Sequence, residues 1–519
     1  MNLSELLFGG WILPNCTTFI DNNLRLRDKP ALICPSQNIS LTYGDIFEAM
    51  NRYSNILVSG GIEKGDRVCI YLPSSPEYLI FYLATWRIGA VAVPLNIVLK
   101  PAEVSYMLKN SGAKAIISDT GVSNSVKEAI STGMNVRSYV TGGVEWKELV
   151  SGAECLVRPV DCDFNDLCQL QYTSGTTGKQ KGAMLSHGNW ISAMDAECDV
   201  LGYYEDDVYL GIYPMAHVGV SWGISALRSG ATWVVMEKFE LEEYIDLIEK
   251  YSATVVAGMP PVIHSLLKTP PGTEDRLKSA REMISGGGPL HHAIWKEFYG
   301  RFKIPVVNAY GLSETIVVGT GTAIRPEDYR YADEFRSVGK PVGYSEMKIV
   351  DVSDPSVELE TMENGEIALR GPAVACGYWG MEEETKSVFL PDGWFLTGDI
   401  GHIDEDGMLS ITDRKKDMIV MSGWKIYPTE VEKTLIENPA IDDIAVFGCS
   451  DIHRGEVPVA AVVMKEGCEF DRPSMDEFAR SRLARYKIPR EYFIVDSLPR
   501  VSGWKLLRRE LVERYCGNS

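Results

Sequence analysis

The sequence predicts an α/β fold: a large N-terminal domain of βα subdomains carrying a small β unit, followed by a small α+β C-terminal domain. Three observations predict it. Helical windows alternate with short apolar runs from Leu41 to Asn308, the signature of parallel βα units. From about Gly339 to Ile411 the pattern changes to short strands and turns. A charged turn, Thr412 to Asp417, then precedes a stretch with strands and helices of its own. The predicted domains are residues 1–413, a connector at 414–417, and residues 418–519.

Each element follows from spacing and composition. Tyr43 to Leu57 repeats its apolar positions at helical intervals, and Asp66 to Leu72 reads as a strand. Glu77 to Ile88 reads as a helix and Val91 to Pro94 as a strand; Tyr78 to Leu99 is the most membrane-like stretch, but Arg87 splits it and Pro94 and Asn96 interrupt the rest. A buried helix followed by a buried strand is the expectation. Further strands are read at Ala115–Ser118, Thr232–Met236, Thr254–Ala257 and Pro305–Asn308, and Gly365 to Gly371 belongs to the β unit. In the last part, Ile444–Phe447, Ala460–Met464 and Tyr492–Val495 read as strands.

Charge and cysteine usage exclude whole classes of function. The 519 residues hold 51 Lys+Arg against 71 Asp+Glu, a net charge of −20, which repels nucleic acid and anionic lipid surfaces. The balance is uneven, because Arg472 to Arg514 carries 11 basic and 6 acidic residues. No Lys or Arg precedes Arg25, so the basic start of a secretory signal is lacking and a cytoplasmic location is expected. Eleven cysteines are scattered with no C-x-x-C pair, which signals neither a disulfide framework nor a zinc site; buried free thiols are expected.

The sharpest motif is Tyr172-Thr173-Ser174-Gly175-Thr176-Thr177-Gly178-Lys179-Gln180-Lys181-Gly182, between the apolar run Leu167–Leu170 and a helix beginning at His187. Glycines free the backbone to turn, and hydroxyls, N–H groups and ammonium groups can then surround a polyphosphate. Gly175 and Gly178 enclose two residues and Gln180 follows Lys179, so it is not a Walker-type loop.

This loop resembles the hallmark of the adenylate-forming superfamily of acyl-CoA synthetases, firefly-type luciferases and peptide-synthetase adenylation domains. Further resemblances follow in family order. Ser285-Gly286-Gly287-Gly288-Pro289-Leu290 is similar to the adenine-binding turn, Asn308-Ala309-Tyr310-Gly311-Leu312-Ser313-Glu314-Thr315 to the Y-G-x-[ST]-E motif, and Gly393 to Asp399 to the ribose-binding segment. Asp413 to Asp417 resembles the hinge, and Leu498 to Arg509 the C-terminal catalytic loop. Trp504 stands directly before Lys505 where the family usually has glycine, while Arg500 to Lys505 keeps the usual offset.

The resemblance implies an AMP-forming acyl-CoA synthetase using ATP, Mg²⁺ and CoA, with a stand-alone adenylation enzyme or a luciferase-like enzyme as the alternatives. Phosphate oxygens would be held by Thr173, Ser174, Gly175, Thr176, Thr177, Gly178, Lys179 and Lys181, and Mg²⁺ by Glu314 with Thr173. Gly287, Gly288, Pro289, Asn308, Ala309, Tyr310, Gly311 and Ser313 would line the nucleotide, and Asp399 and Arg414 would meet the ribose. Lys505 would be the catalytic lysine and Lys416 the hinge of a mobile C-terminal domain, with Gly423, Trp424 and Lys425 meeting CoA.

His217, Val220, Met259, Gly286 and Val317 would line the acid site. That wall is small or apolar and holds no Lys or Arg for a second carboxylate, so a monocarboxylic acid is expected, a medium- or long-chain fatty acid first and an aromatic acid second. A peptide-synthetase pocket usually places an early Asp, and none aligns in Trp190 to Gly223. The oligomeric state, monomer or homodimer, is left open.

Overall fold

The computed structural model of the chain describes residues 15–130, 134–155, 157–173, 180–288, 290–325, 337–501 and 505–516. Internal packing divides the chain into two compact units, Met1–Met347 with Leu369–Phe395, and Lys348–Ala368 with Leu396–Ser519.

Among the described residues of the first unit, fifteen strands build two sheets. They are β1 (Pro30–Cys34), β2 (Ile39–Thr42), β3 (Arg67–Tyr71), β4 (Val91–Pro94), β5 (Ala115–Asp119), β6 (Arg137–Thr141), β7 (Leu167–Thr173), β8 (Lys181–Ser186), β9 (Val208–Gly211), β10 (Thr232–Val235), β11 (Val255–Ala257), β12 (Glu282–Ser285), β13 (Val306–Leu312), β14 (Val317–Ala323) and β15 (Lys340–Pro341). The six-stranded sheet runs β6-β5-β3-β4-β7-β8, parallel except for the β7–β8 pair. The nine-stranded sheet runs β15-β14-β13-β12-β11-β9-β10-β1-β2, with a parallel centre from β13 to β1 and antiparallel strands at both edges. β4, β10 and β11 are buried at every position, as strands covered on both faces must be.

Local chemistry starts the helices where the pattern places them. Thr42 and Asp45 close a capping box on the helix Tyr43–Ser59, Ser75 caps Pro76–Arg87 with proline at its first position, and Ser186 with Asn189 caps His187–Leu201. Pro76–Arg87 is buried at every position but Glu77 and leads into buried β4, as expected for the membrane-like stretch. Arg87 is buried because Asp21 receives its guanidinium in two bonds of 2.8 and 3.0 Å, while the Asn51 side chain and the Val157 carbonyl take its Nε at 2.9 and 2.7 Å. No helix among the described residues is long and apolar enough to cross a membrane. Trp86 and Trp190 meet in the core with ring centroids 4.7 Å apart.

Several strands outrun their sequence readings. The one read at Pro305–Asn308 continues to Leu312 because Ala309 and Tyr310 pair antiparallel with Ala323 and Thr322. The run Leu167–Leu170 continues to Thr173 because β8 pairs along it to the last residue.

The second unit is built on β16 (Glu346–Val350), β17 (Gly365–Arg370), β18 (Phe395–Ile403) and β19 (Leu409–Arg414), which form a four-stranded sheet in that order. The next sheet comprises β20 (Ile419–Met421), β21 (Trp424–Ile426), β22 (Ile441–Asp451), β23 (Gly455–Met464) and β24 (Tyr492–Ile494), and β25 (Arg500–Val501) pairs with β26 (Lys505–Leu506). Arg508 opens the last helix, Arg508–Tyr515, and anchors it through two 2.8 Å bonds to Glu432. One expectation is corrected: Cys449 on β22 and Cys516 after that helix form a disulfide. Packing of Leu511 and Val512 against Phe447 and Val459 brings together two cysteines 67 residues apart, a proximity no spacing rule could reveal. The other described cysteines are free thiols.

A buried carboxyl group sits between two helices of the first unit. Glu197 accepts hydrogen bonds from Ser221 Oγ at 2.5 Å and Ser225 Oγ at 2.8 Å, and burial pushes its pKa up to about 8, against the pull of the two hydroxyls. A folded-state pKa above the unfolded one means that the stability this group contributes is complete below the ordinary 4.5 and is lost as pH rises through about 8. Glu197→Gln is therefore expected to narrow the gap between unfolding midpoints at about pH 5 and about pH 8 by roughly 2–4 °C, read by calorimetry.

Candidate functional site

Parallel pairing aligns the carboxyl ends of β9, β11, β12 and β13. Val256 lies opposite Leu210 and Met283, Ile284 opposite Val307, and Ser285 opposite Asn308. The segments leaving those ends carry the sequence candidates: His217 and Val220 after β9, Met259 after β11, Gly286 to Gly288 after β12, and Ala309 to Thr315 at the end of β13 and the turn after it. This is the edge where open parallel sheets place ligands.

The end of β13 is held tightly. A side chain at Gly311 would put its Cβ 1.7 Å from the Val317 carbonyl oxygen, so only glycine lets the two strands close. Between them the turn Ser313–Thr315 is locked by Thr315 Oγ1, which accepts the Leu312 N–H at 2.9 Å and donates to the Val317 carbonyl at 2.9 Å. The lock forces Ile316 and Val317 to φ of +47° and +50°, a strain of about 1–3 kcal/mol each for β-branched residues.

That turn presents Glu314, 8% exposed. Its Oε1 accepts the Tyr378 hydroxyl at 2.8 Å, and its backbone carbonyl accepts the Ala375 N–H at 2.7 Å. Tyr378 is seated by its bridge to Ala183 on β8, and the ammonium of Lys181 lies 5.0 Å from the centre of its ring. Lys181 in turn pairs across β7–β8 with Thr173. Thr173, Lys181, Tyr378 and Glu314 thus form one connected group. Burial, and then the charge of Glu314, push the Tyr378 hydroxyl well above its ordinary pKa, so it stays a proton donor. Tyr378 escaped the sequence reading because it follows a plain Gly377 and carries no charge.

The remaining candidates of this unit are also placed. Ser174, Gly175, Thr176, Thr177, Gly178, Lys179 and Pro289 lie outside the described residues. Asn308 is buried and its carboxamide donates to the Ser337 carbonyl at 3.0 Å. Gly287 has φ of +78° with open space where a side chain would stand. Val220 is buried, Met259 and Val317 are half-buried, and His217 is exposed with Nε2 3.2 Å from Asn96 Nδ2, a neighbour the sequence did not suggest.

In the second unit Asp399 is buried and receives Arg414 Nε at 3.1 Å across β18–β19. Lys416 is exposed in the short turn Lys415–Asp417. Gly423 has φ of +86°, Trp424 stacks on Tyr486 with centroids 4.9 Å apart, and Lys425 pairs with Asp351 at 3.2 Å. The backbone of Lys505 pairs with Val501, and Trp504 lies outside the described residues.

Comparison with known proteins finds matches along most of the chain. Residues 19–379 match the family described as AMP-binding enzyme, and residues 430–503 match the AMP-binding enzyme C-terminal domain. The chain is 33% identical to 4-coumarate–CoA ligase 3 of Oryza sativa subsp. japonica, over 96% of this chain and 93% of that protein. It is also 33% identical to the long-chain-fatty-acid–CoA ligase FadD13 of Mycobacterium tuberculosis, over 98% of both. ATP-bound MatB from Rhodopseudomonas palustris superposes with a TM-score of 0.88 at 29% identity, covering 96% of this chain and 99% of that one.

Tyr378→Phe keeps the ring under Lys181 and removes the bond to Glu314. Loss of a hydrogen bond to a buried carboxylate should lower kcat/KM for Mg²⁺-ATP about tenfold, measured by acid-dependent ATP/pyrophosphate exchange. Unchanged exchange would reduce Tyr378 to packing.

Proposed function

The chain belongs to the AMP-binding enzyme family of adenylate-forming CoA ligases, and from that membership we propose how its residues divide the work and which acid it takes. The enzyme is an AMP-forming acid–thiol ligase that uses ATP. A carboxylate is a poor electrophile, because attack on it must expel an oxide-like group. Joining it to AMP supplies a good leaving group, which the thiol of CoA then displaces.

The connected group Thr173–Lys181–Tyr378–Glu314 carries this reading. Thr173, Lys181 and the loop between them hold phosphate oxygens of ATP. The donor set fits Mg²⁺, a hard cation that takes few protein carboxylates: Glu314 offers oxygens in a buried position, one of them oriented by Tyr378. When bound, Mg²⁺ neutralises charge on the phosphates. Asp399 accepts from the ribose hydroxyls, and Arg414, already bound to Asp399, donates beside it. Lys505 spans the acid and the α-phosphate during adenylation.

For the second half-reaction the segment 418–519 turns about Lys416, replacing Lys505 with Gly423, Trp424 and Lys425 at the reacting centre. The exposure of Lys416 in a short turn supports that hinge. The acid is a monocarboxylate with an apolar tail, a medium- or long-chain fatty acid before an aromatic one. What supports it is the character of the wall, with Val220, Met259 and Val317 apolar and His217 the polar exception.

Two experiments test these assignments. Lys505→Ala should abolish acid-dependent ATP/pyrophosphate exchange, whereas Lys416→Pro should keep exchange and lose most thioester formation; equal loss of both steps in Lys416→Pro would refute the hinge. A screen of kcat/KM across fatty acids of increasing length and across benzoates and cinnamates should peak among the fatty acids. A peak among aryl acids would reverse the order of preference while leaving the ligase assignment intact.

A further inference from the structure

Where β7 begins and β8 ends, the first unit holds a second cluster of chemically active side chains that adenylation does not use. Cys16 precedes the short helix Thr18–Asn22, Cys168 lies on β7, and His187 opens the helix His187–Leu201. One ligating atom from each lies within 4.8 Å of the others, and all three residues are buried. The Cys16 Sγ is 3.1 Å from His187 Nδ1, which also accepts the Cys16 N–H at 3.2 Å.

We propose that Cys16, Cys168 and His187 form a buried structural site for a thiophilic divalent cation, zinc first among them. Two physical points carry the assignment. A tetrahedral zinc site with Zn–S near 2.3 Å and Zn–N near 2.0 Å sets its ligand atoms roughly 3.5–3.8 Å apart, and the three donors stand within 4.8 Å of one another, Cys16 Sγ and His187 Nδ1 being 3.1 Å apart. Two thiolates cancel the charge of the ion, which a site without solvent requires.

Each thiol that ligates gives up its proton to solvent, so loading is favoured by rising pH. The cation would tie the start of the described chain to β7, five residues before Thr173, and to the helix after β8.

Co²⁺ is the probe, because tetrahedral thiolate ligation gives it intense visible bands and a sulfur-to-metal charge-transfer band in the near ultraviolet. The full-length protein is produced in medium supplemented with Co²⁺ or Zn²⁺, stripped of loosely held metal on a chelating resin, and analysed for metal content and absorption. The expected result is about one ion per chain, a thiolate–cobalt spectrum, and at least a tenfold loss of both in Cys16→Ser/Cys168→Ser. His187→Gln, which leaves every thiol in place, should also lower the retained metal. Wild-type protein that carries no Co²⁺ or Zn²⁺ after this treatment overturns the site, whatever the variants do. Equal metal retention in the double variant overturns it too, since the exposed thiols Cys376 and Cys468 would then be the binders.

Discussion

Parallel strands cannot be joined by a tight turn, and this constraint organises the first unit. Each strand must leave the sheet, cross one face and re-enter beside its neighbour, so the carboxyl ends of β9, β11, β12 and β13 open onto a common edge. The site candidates of the nine-stranded sheet stand on segments released there. The six-stranded sheet contributes through its one antiparallel pair: β7 and β8 return directly on each other, which seats Thr173 against Lys181. Tyr378 joins the two contributions, with its ring at Lys181 and its hydroxyl at Glu314.

Much of this was legible in the sequence, for reasons that differ from element to element. Alternating apolar runs mark buried strands because a strand covered on both faces must be apolar throughout, as β4 and β10 are. The motifs that carry the family resemblance were legible because they gather glycines and hydroxyls in short contiguous segments. What stayed hidden depends on approach through space. Tyr378 becomes a partner of Glu314 only through its bridge to Ala183, and Asn96 meets His217 from another sheet. The same holds for cysteines: neither the bond between Cys449 and Cys516 nor the grouping of Cys16, Cys168 and His187 leaves a trace in local spacing.

The charge of the chain is likewise unevenly used. A net −20 describes the whole, yet the buried groups that matter are compensated one by one: Arg87 by Asp21, Arg508 by Glu432, Asp399 by Arg414. An ion held in a poorly solvated place is tolerable only beside its counter-ion and hydrogen-bond partners, so these pairs specify which segments come together more than they add to stability.

The two residues at positive φ after Glu314 bear on how this protein could be evolved. Glycine at 316 or 317 would adopt those angles without penalty, but it would give up the side chain of Ile316, wholly buried in the core, or of Val317, which packs against it. At 316 the packing lost, about 2–5 kcal/mol, outweighs the strain relieved, so a library selected for heat resistance would keep the β-branched residue and with it the bend that seats Glu314.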